Sequence, residues 1–230
     1  MSRVGAFIPI KSRSTRVTSK NFRLFRGRPL YQWIIDHAIA SGAFGAVHVD
    51  TDSDLIAQYA TDAGALLIHR RPELAGDDAN GNDLLVHHGQ VCPDFDYYFQ
   101  LFATAPTLRS QTIRDCVRRL DEMVRWGSGT RQPVVHDSIF TATRESGWYW
   151  FGAQPVNFRP GILPRSQDAP GVIKETTGLY GITRAALRKY YCRIGARPIA
   201  HIVSPDEAVD LDTERDFQVG EALGAGERQL

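Results

Sequence analysis

Residues 5–21 read Gly-Ala-Phe-Ile-Pro-Ile-Lys-Ser-Arg-Ser-Thr-Arg-Val-Thr-Ser-Lys-Asn, and this stretch decides the fold. Gly5 to Pro9 is short, apolar and stopped by proline, the pattern of a buried first strand. A polar loop, Lys11 to Asn21, follows directly. Working outward, a helix is predicted next, with Pro29 near its start and Leu30, Trp33, Ile34, His37 and Ala38 at three/four spacing. Gly42 closes it. Ala46 to Val49 reads as a second strand. Ser53 to Ala63 reads as a second helix, with Thr51 or Asp52 placed to cap it. Gly64 ends that helix, and Ala65 to Ile68 is a third strand. Alternation of this kind predicts an α/β fold: a mainly parallel, Rossmann-like sheet sandwiched by helices.

The pattern continues with a central strand at Tyr97 to Phe102, a helix from Gln111 to Arg125 capped by Ser110, and a strand at Pro133 to Ile139. From about Thr141 to Pro170 it breaks. Trp148, Tyr149, Trp150 and Phe151 stand together, and Pro155, Pro160, Gly161, Pro164 and Pro170 punctuate the segment. Order returns with strand Gly178 to Ile182, helix Arg184 to Arg193, strand Ile199 to Ile202, strand Ala208 to Leu211 and helix Thr213 to Leu223. The 230 residues suit a single domain over 1–230 with an inserted arm at about 141–177.

The 27 basic residues nearly cancel the 26 acidic ones, so no global field draws in nucleic acid or an anionic membrane. The apolar run that ends at Pro9 is too short for a signal peptide core or a membrane span. Cys92, Cys116 and Cys192 have neither zinc-site nor disulfide-framework spacing, and reduced thiols in a cytoplasmic protein are expected.

Two segments suggest chemistry. Ligands of open α/β sheets sit beyond the carboxyl ends of the strands. A loop there with Lys11, Arg13, Arg16 and Lys20 among hydroxyls, Ser14 included, suits a polyphosphate, since arginine and lysine form charge-assisted bonds to phosphate. The same residues would equally serve a solvated basic loop, and no Walker pattern is present. Near the other end stands Asp210-Leu211-Asp212. On a strand, residues two apart share a face. Two carboxylates so close repel unless a cation lies between them, and magnesium prefers such oxygen ligands. The plainer alternative is Asp212 as a helix cap with Asp210 facing water. Arg165-Ser166-Gln167-Asp168 suits either recognition of an anion or an exposed turn. His87-His88 suggests a metal pair, against which stands the roughly 100° between neighbours on a helix; a partly exposed helical position is the alternative.

Taken together, these pieces resemble the cytidylyltransferases that make CMP-activated acidic sugars: the CMP-sialic, CMP-pseudaminic and CMP-KDO synthetase superfamily. Ile8 to Arg16 followed by Lys20-Asn21 is similar to that family's signature loop. Val49-Asp50-Thr51-Asp52, Arg71-Pro72-Glu73-Leu74-Ala75 with Asp77-Asp78, Ala103-Thr104-Ala105-Pro106, Gln167-Asp168 with Pro170, Gly178-Leu179-Tyr180-Gly181, and Asp210-Leu211-Asp212-Thr213 with Asp216-Phe217 follow in order. The resemblance implies a fold of the nucleotide-diphospho-sugar transferase type with a protruding dimerisation segment, and attack of an acceptor oxygen on the α-phosphate of CTP with loss of pyrophosphate. It implies catalytic roles for Arg16, Lys20, Asp210 and Asp212. It also implies nucleotide contacts from Lys11, Ser14, Arg16, Lys20, Asn21, Arg71 and Asn82, acceptor contacts from Thr104, Arg165 and Gln167, and magnesium (Mg2+) on Asp210 and Asp212. The expected partners are CTP, a small anionic acceptor and a second copy of the chain.

Departures from the family pattern are local. Lys11 stands for an arginine and Ser12-Arg13 for glycines, so the loop is expected to be stiffer. Ala105 stands where the KDO branch has a metal-binding aspartate, which favours the sialic-like pair Asp210 and Asp212. Asn80-Gly81-Asn82-Asp83 replaces a hydroxyl-rich stretch. Competing readings are a nucleotide-sugar-dependent glycosyltransferase of similar fold, a CTP-binding homologue that has lost catalysis, and an enzyme acting on a different acid or a phosphonate.

Overall fold

A computed structural model describes residues 2–14, 17–76, 78–129 and 136–225. Arg16 in the loop after the first strand, Asp77, and residues 133–135 of the predicted strand lie outside the described residues.

Strand β1 (Val4–Ile10) opens the chain, and a 3-10 turn at Lys20–Phe22 leads into a small hairpin, β2 (Leu24–Phe25) and β3 (Arg28–Pro29). Helix α1 (Leu30–Ser41), β4 (Ala46–Thr51), α2 (Asp54–Asp62), β5 (Leu66–His69), α3 (Pro72–Ala75) and α4 (Gly81–Val91) follow. Then come β6 (Tyr97–Leu101), α5 (Ser110–Gly129), β7 (Ser138–Glu145), and the hairpin β8 (Trp150–Phe151) and β9 (Gln154–Pro155). Strand β10 (Val172–Thr183), α6 (Arg184–Tyr190), β11 (Pro198–Ile202) and α7 (Glu214–Ala225) close it.

The main sheet has seven strands in the order β11-β7-β10-β6-β1-β4-β5. Strand β1 pairs in parallel with β4 and β6, β4 with β5, and β11 with β7. The predicted parallel sheet is thus mixed at one point: β10 runs antiparallel to both β6 and β7. Alternate residues of β1 serve opposite faces, as strand geometry requires. Ala6, Ile8 and Ile10 pack in the cluster that holds Ile34 and Ile35 of α1 and Ile113 and Leu120 of α5. Phe7 packs on the other side with Leu85 of α4, Tyr98, Ile182 and Leu187 of α6. Each fully buried aliphatic or aromatic side chain of this kind stabilises the fold by roughly 1.5–3 kcal/mol.

A third cluster positions the chemistry. Leu211 and Phe217 near the C-terminus pack against Val17, Phe25 and Leu30. The middle residue of Asp210-Leu211-Asp212 is therefore an apolar plug with no exposed surface, and its backbone N–H donates to the Thr104 carbonyl at 2.8 Å.

Several local expectations are corrected. Residues 208–211 form no strand: turns and irregular backbone carry the acidic pair, and Leu211 is held by packing instead of by a ladder. Ser53, not Thr51 or Asp52, caps α2, its hydroxyl accepting from the Ile56 N–H. Asp52 is engaged elsewhere, by Ser12. Strand β7 runs on to Glu145 and β10 starts at Val172, because their antiparallel pairing extends well beyond the core into what reads as an irregular stretch. Helix α6 stops at Tyr190, where Tyr191 turns left-handed at φ 51°. His87 and His88 are both buried rather than partly exposed.

Candidate active site

Strand β1 ends in the loop that follows Ile10, and its neighbour β4 ends in Thr51 and Asp52. The two ends are tied together. Asp52 accepts from the backbone N–H of Ser12 at 2.6 Å and from its hydroxyl at 2.9 Å. Burial alone would raise the Asp52 carboxyl, but these two bonds outweigh it and hold the group below its ordinary range. Asn21 donates to the Lys11 carbonyl at 2.7 Å, closing the loop from its other end. Ser12, which stands where a glycine was expected, is thus tied through its N–H and hydroxyl to the residue just after β4.

The loop borders a hollow of about 180 Å³ lined by Lys11, Arg13, Ser14, Lys20 and Asn21, with Phe102 and Thr104 from the end of β6. Four of the six described residues expected at the nucleotide (Lys11, Ser14, Lys20 and Asn21) meet there, together with Thr104, which was expected at the acceptor. Asp210 and Asp212 line an adjoining hollow of about 580 Å³ with Thr143, Arg144, Lys174, Thr176 and Thr177. The wall shared by the two hollows is an ion pair: the buried Lys20 ammonium lies 2.8 Å from Asp212 Oδ1.

Asp210 is in a different state. Its Oδ2 accepts from the Thr177 hydroxyl at 2.6 Å, and its buried Oδ1 has no hydrogen-bond partner among the described residues. Burial raises its carboxyl above the ordinary range and the like charge of Asp212 adds to this, while the Thr177 bond pulls the other way. A buried carboxylate oxygen with no donor is costly unless a cation meets it. The donor set, two aspartates with one oxygen open, fits a hard divalent cation that keeps most of its coordination for water and substrate. Among the described residues no group of three or more His, Cys, Asp or Glu is gathered for a metal. His87 and His88 are accordingly not a metal pair. His88 Nε2 lies 2.7 Å from Asp50 Oδ2 in the core.

Other predicted residues are not brought to this place. Arg71 lines a separate hollow of about 660 Å³ with Glu73, Asp83 and His87. Asn82 turns its carbonyl oxygen to the backbone N–H of Arg193, 3.0 Å away. Arg165 and Gln167 lie exposed in the segment between β7 and β10, where Arg165 pairs with Asp168 at 2.6 Å. Thr177 and Phe102 are site residues that the site assignment missed. Nothing in the linear sequence joins Thr177 to an aspartate 33 positions away. A further hollow of about 460 Å³ beside α4 and α6 is the more enclosed by apolar groups, yet it holds no acidic pair and lies apart from Lys20.

The sequence pattern of the cytidylyltransferases matches residues 6–144, more than half of the chain. The chain belongs to the cytidylyltransferase family. Among curated relatives of this chain, N-acylneuraminate cytidylyltransferase A of Danio rerio is 26% identical over 226 residues, covering 95% of this chain and 50% of the relative. The N-acylneuraminate cytidylyltransferase of Escherichia coli O18:K1:H7 is 30% identical over 221 residues, covering 95% of this chain and 51% of the relative. The chain therefore spans about half the length of the curated relatives it matches. A solved structure of CMP:2-keto-3-deoxy-manno-octonic acid synthetase complexed with CTP superposes with a TM-score of 0.70 at 18% identity, covering 98% of this chain and all of that one. This likeness shows the shared fold: a mixed, mainly parallel sheet flanked by helices, as the alternation of the sequence predicts. No helix among the described residues is long and apolar enough to cross a membrane.

Proposed function

We propose that this cytidylyltransferase transfers CMP from CTP to a small acidic sugar or related acid. The observation that carries the reading is the Lys20–Asp212 ion pair standing between a basic hollow and an acidic one. The basic hollow suits a triphosphate, with Lys11, Ser14, Lys20 and Asn21 as its contacts; Arg16, in the same loop, belongs to this set by sequence. The acidic hollow suits the acceptor. An acceptor oxygen at the junction bonds to the α-phosphorus as the α–β bridging P–O bond breaks, pyrophosphate departs, and the acceptor proton leaves to solvent or a nearby carboxylate. Reactions of this type depend on positioning and charge neutralisation more than on covalent help. Lys20 neutralises charge growing on the phosphates from a fixed, buried position. Asp210 and Asp212 would hold Mg2+, which would supply charge neutralisation at the phosphates. The rival reading as a nucleotide-sugar-dependent glycosyltransferase is not favoured by the family match over residues 6–144.

We also propose a single domain over 1–230 whose arm, within about 141–177, joins two copies of the chain. Supporting this, Trp150, Phe151, Ile162 and Leu163 in the arm are all largely exposed, with Phe151 at 83%. Light scattering showing a monomer throughout would remove the dimer. Arg165 and Gln167 sit on the same arm, and as acceptor contacts they would serve the partner's site.

The test of the main reading is pyrophosphate release by the pure protein with magnesium, each of the four ribonucleoside triphosphates and a panel of α-keto acid sugars. Release with CTP and one acid is the expected result. Release with another nucleotide, or with no acid present, would overturn the assignment of base or of acceptor.

A further inference from the structure

Arg193 lies in the turn between α6 and β11, and its guanidinium has no hydrogen bond or ion pair among the described residues. It is nonetheless held firmly. Its carbon sits 4.0 Å from the centroid of the Tyr180 ring and 5.6 Å from that of Phe102, and its backbone N–H is tied to Asn82. Those two rings are in contact edge to face. One ring lines the basic hollow and the other is bonded to a residue that lines the acidic one. Phe102 lines the basic one. Tyr180 donates its hydroxyl to Glu175, which lines the acidic one with Asp210 and Asp212. Arg193 therefore lies behind these two rings, next to the basic hollow through Phe102 and linked to the acidic one through Tyr180 and Glu175.

A second observation points the same way. The fully buried Gln100 donates through Nε2 to the Gly81 carbonyl at 2.9 Å, while its Oε1 has no partner. A Cβ added at Gly81 would stand 2.5 Å from Arg193 Nη1 and 3.2 Å from Gln100 Oε1. Glycine at 81 thus keeps open a small space bordered by the Arg193 guanidinium, which suits an oxyanion, and by the Gln100 amide oxygen, which can accept only from a hydroxyl or N–H of a ligand. Arginine is suited to such a place because its rigid fork matches the two oxygens of an oxyanion, and aromatic stacking presets its plane.

We propose that Arg193 is the seat for the acceptor's oxyanion, a carboxylate or phosphonate, and so determines which acids are accepted. This rests on the cytidylyltransferase reading for the identity of the acceptor, but the seat can be tested without turnover. Wild type, Arg193→Gln and Arg193→Lys are titrated calorimetrically with CTP and with N-acetylneuraminate, 2-keto-3-deoxy-manno-octonate, pyruvate and phosphonopyruvate, after thermal melts establish that all three are folded. At least one acid is expected to bind wild type. Its dissociation constant should rise about tenfold to a hundredfold in Arg193→Gln, from loss of a charge-assisted pair, and less in Arg193→Lys. CTP affinity should stay within about threefold, because Arg193 is not among the residues lining the hollow of Lys11, Ser14, Lys20 and Asn21. Equal acid binding by wild type and Arg193→Gln, binding of no acid by wild type, or a matching loss of CTP affinity would each overturn the seat. Pyrophosphate release separates the two ideas. Turnover of an acid with an unchanged KM in Arg193→Gln removes the seat and leaves the reading. Acid binding that needs Arg193, without pyrophosphate release from any nucleotide, does the reverse.

Discussion

Among the Asp-x-Asp segments of this chain, Asp50-Thr51-Asp52 and Asp210-Leu211-Asp212 are treated by the structure in opposite ways. In Asp50-Thr51-Asp52 every carboxylate has partners. Asp50, with 1% exposure, accepts from Arg70 Nε at 2.9 Å and meets His88 Nε2 at 2.7 Å. Asp52 takes two bonds from Ser12. In Asp210-Leu211-Asp212 one oxygen is buried without a donor among the described residues, and the neighbouring carboxylate meets the buried Lys20. The same contrast shows in their ionisation. Burial by itself would push Asp50 up, but the His88 hydrogen bond and the Arg70 charge outweigh it and lower its carboxyl, whereas Asp210 is raised. A satisfied pair of carboxylates is architecture, and an unsatisfied one, kept so by the surrounding packing, is available for a ligand.

That contrast can be broken most directly by substitution. Asp212→Asn or Asp210→Asn should each lower kcat by about a hundredfold to a thousandfold, the size of loss seen when one preorganised charge-stabilising group is removed. Circular dichroism should show the fold intact; near-normal turnover would erase the distinction between the two motifs. Asp50→Asn should do the opposite. It strands a buried guanidinium and should cost about 3 kcal/mol, or roughly 6–12 °C in Tm, with modest change in kcat of the folded fraction. A stable Asp50→Asn variant with lost turnover would instead make Asp50 functional.

The pH dependence sharpens the same point. The folded carboxyl of Asp50 lies below its unfolded value, so its stabilisation is complete above the ordinary carboxylate range of roughly pH 4 and is lost as pH falls through the lower folded value. Denaturant titrations between about pH 2 and 6 should therefore show a steeper acid loss in wild type than in Asp50→Asn. The smallest effect concerns Asp210. In metal-free buffer near neutral pH, Asp210→Asn should raise Tm by roughly 2–4 °C, because it removes a desolvated charge worth about 1 kcal/mol. A lowered Tm would mean that Oδ1 is satisfied in solution.

Much of the fold was legible locally. The apolar run of β1, the three/four spacing of α1 and the glycine at 42, which takes φ 61° as the cap of α1, are signals carried by neighbouring residues. The strand expected at Ala208 to Leu211 was not there. Alternating apolar and acidic residues imitate a strand, but Leu211 is buried by Phe25, Leu30 and Phe217 and needs no sheet. The site was half legible. Lys11, Ser14, Lys20 and Asn21 share one loop region and were found together. Arg165 and Gln167 read as acceptor contacts, yet within this chain they stand apart from Asp210, because the paired extension of β7 and β10 carries their segment away from the sheet core. Thr177, Phe102 and Arg193 carry no local signature for what they touch.

By itself the sequence determined the α/β alternation, the basic loop after the first strand and the presence of spaced acidic pairs, since periodicity, caps and composition are properties of residues close in the chain. Only the tertiary structure decided which acidic pair is open. The partners that satisfy Asp50 come from 20 and 38 positions away, and Lys20 reaches Asp212 across 192. Whether a buried oxygen has a donor depends on packing at such separations, and no reading of neighbouring residues contains it.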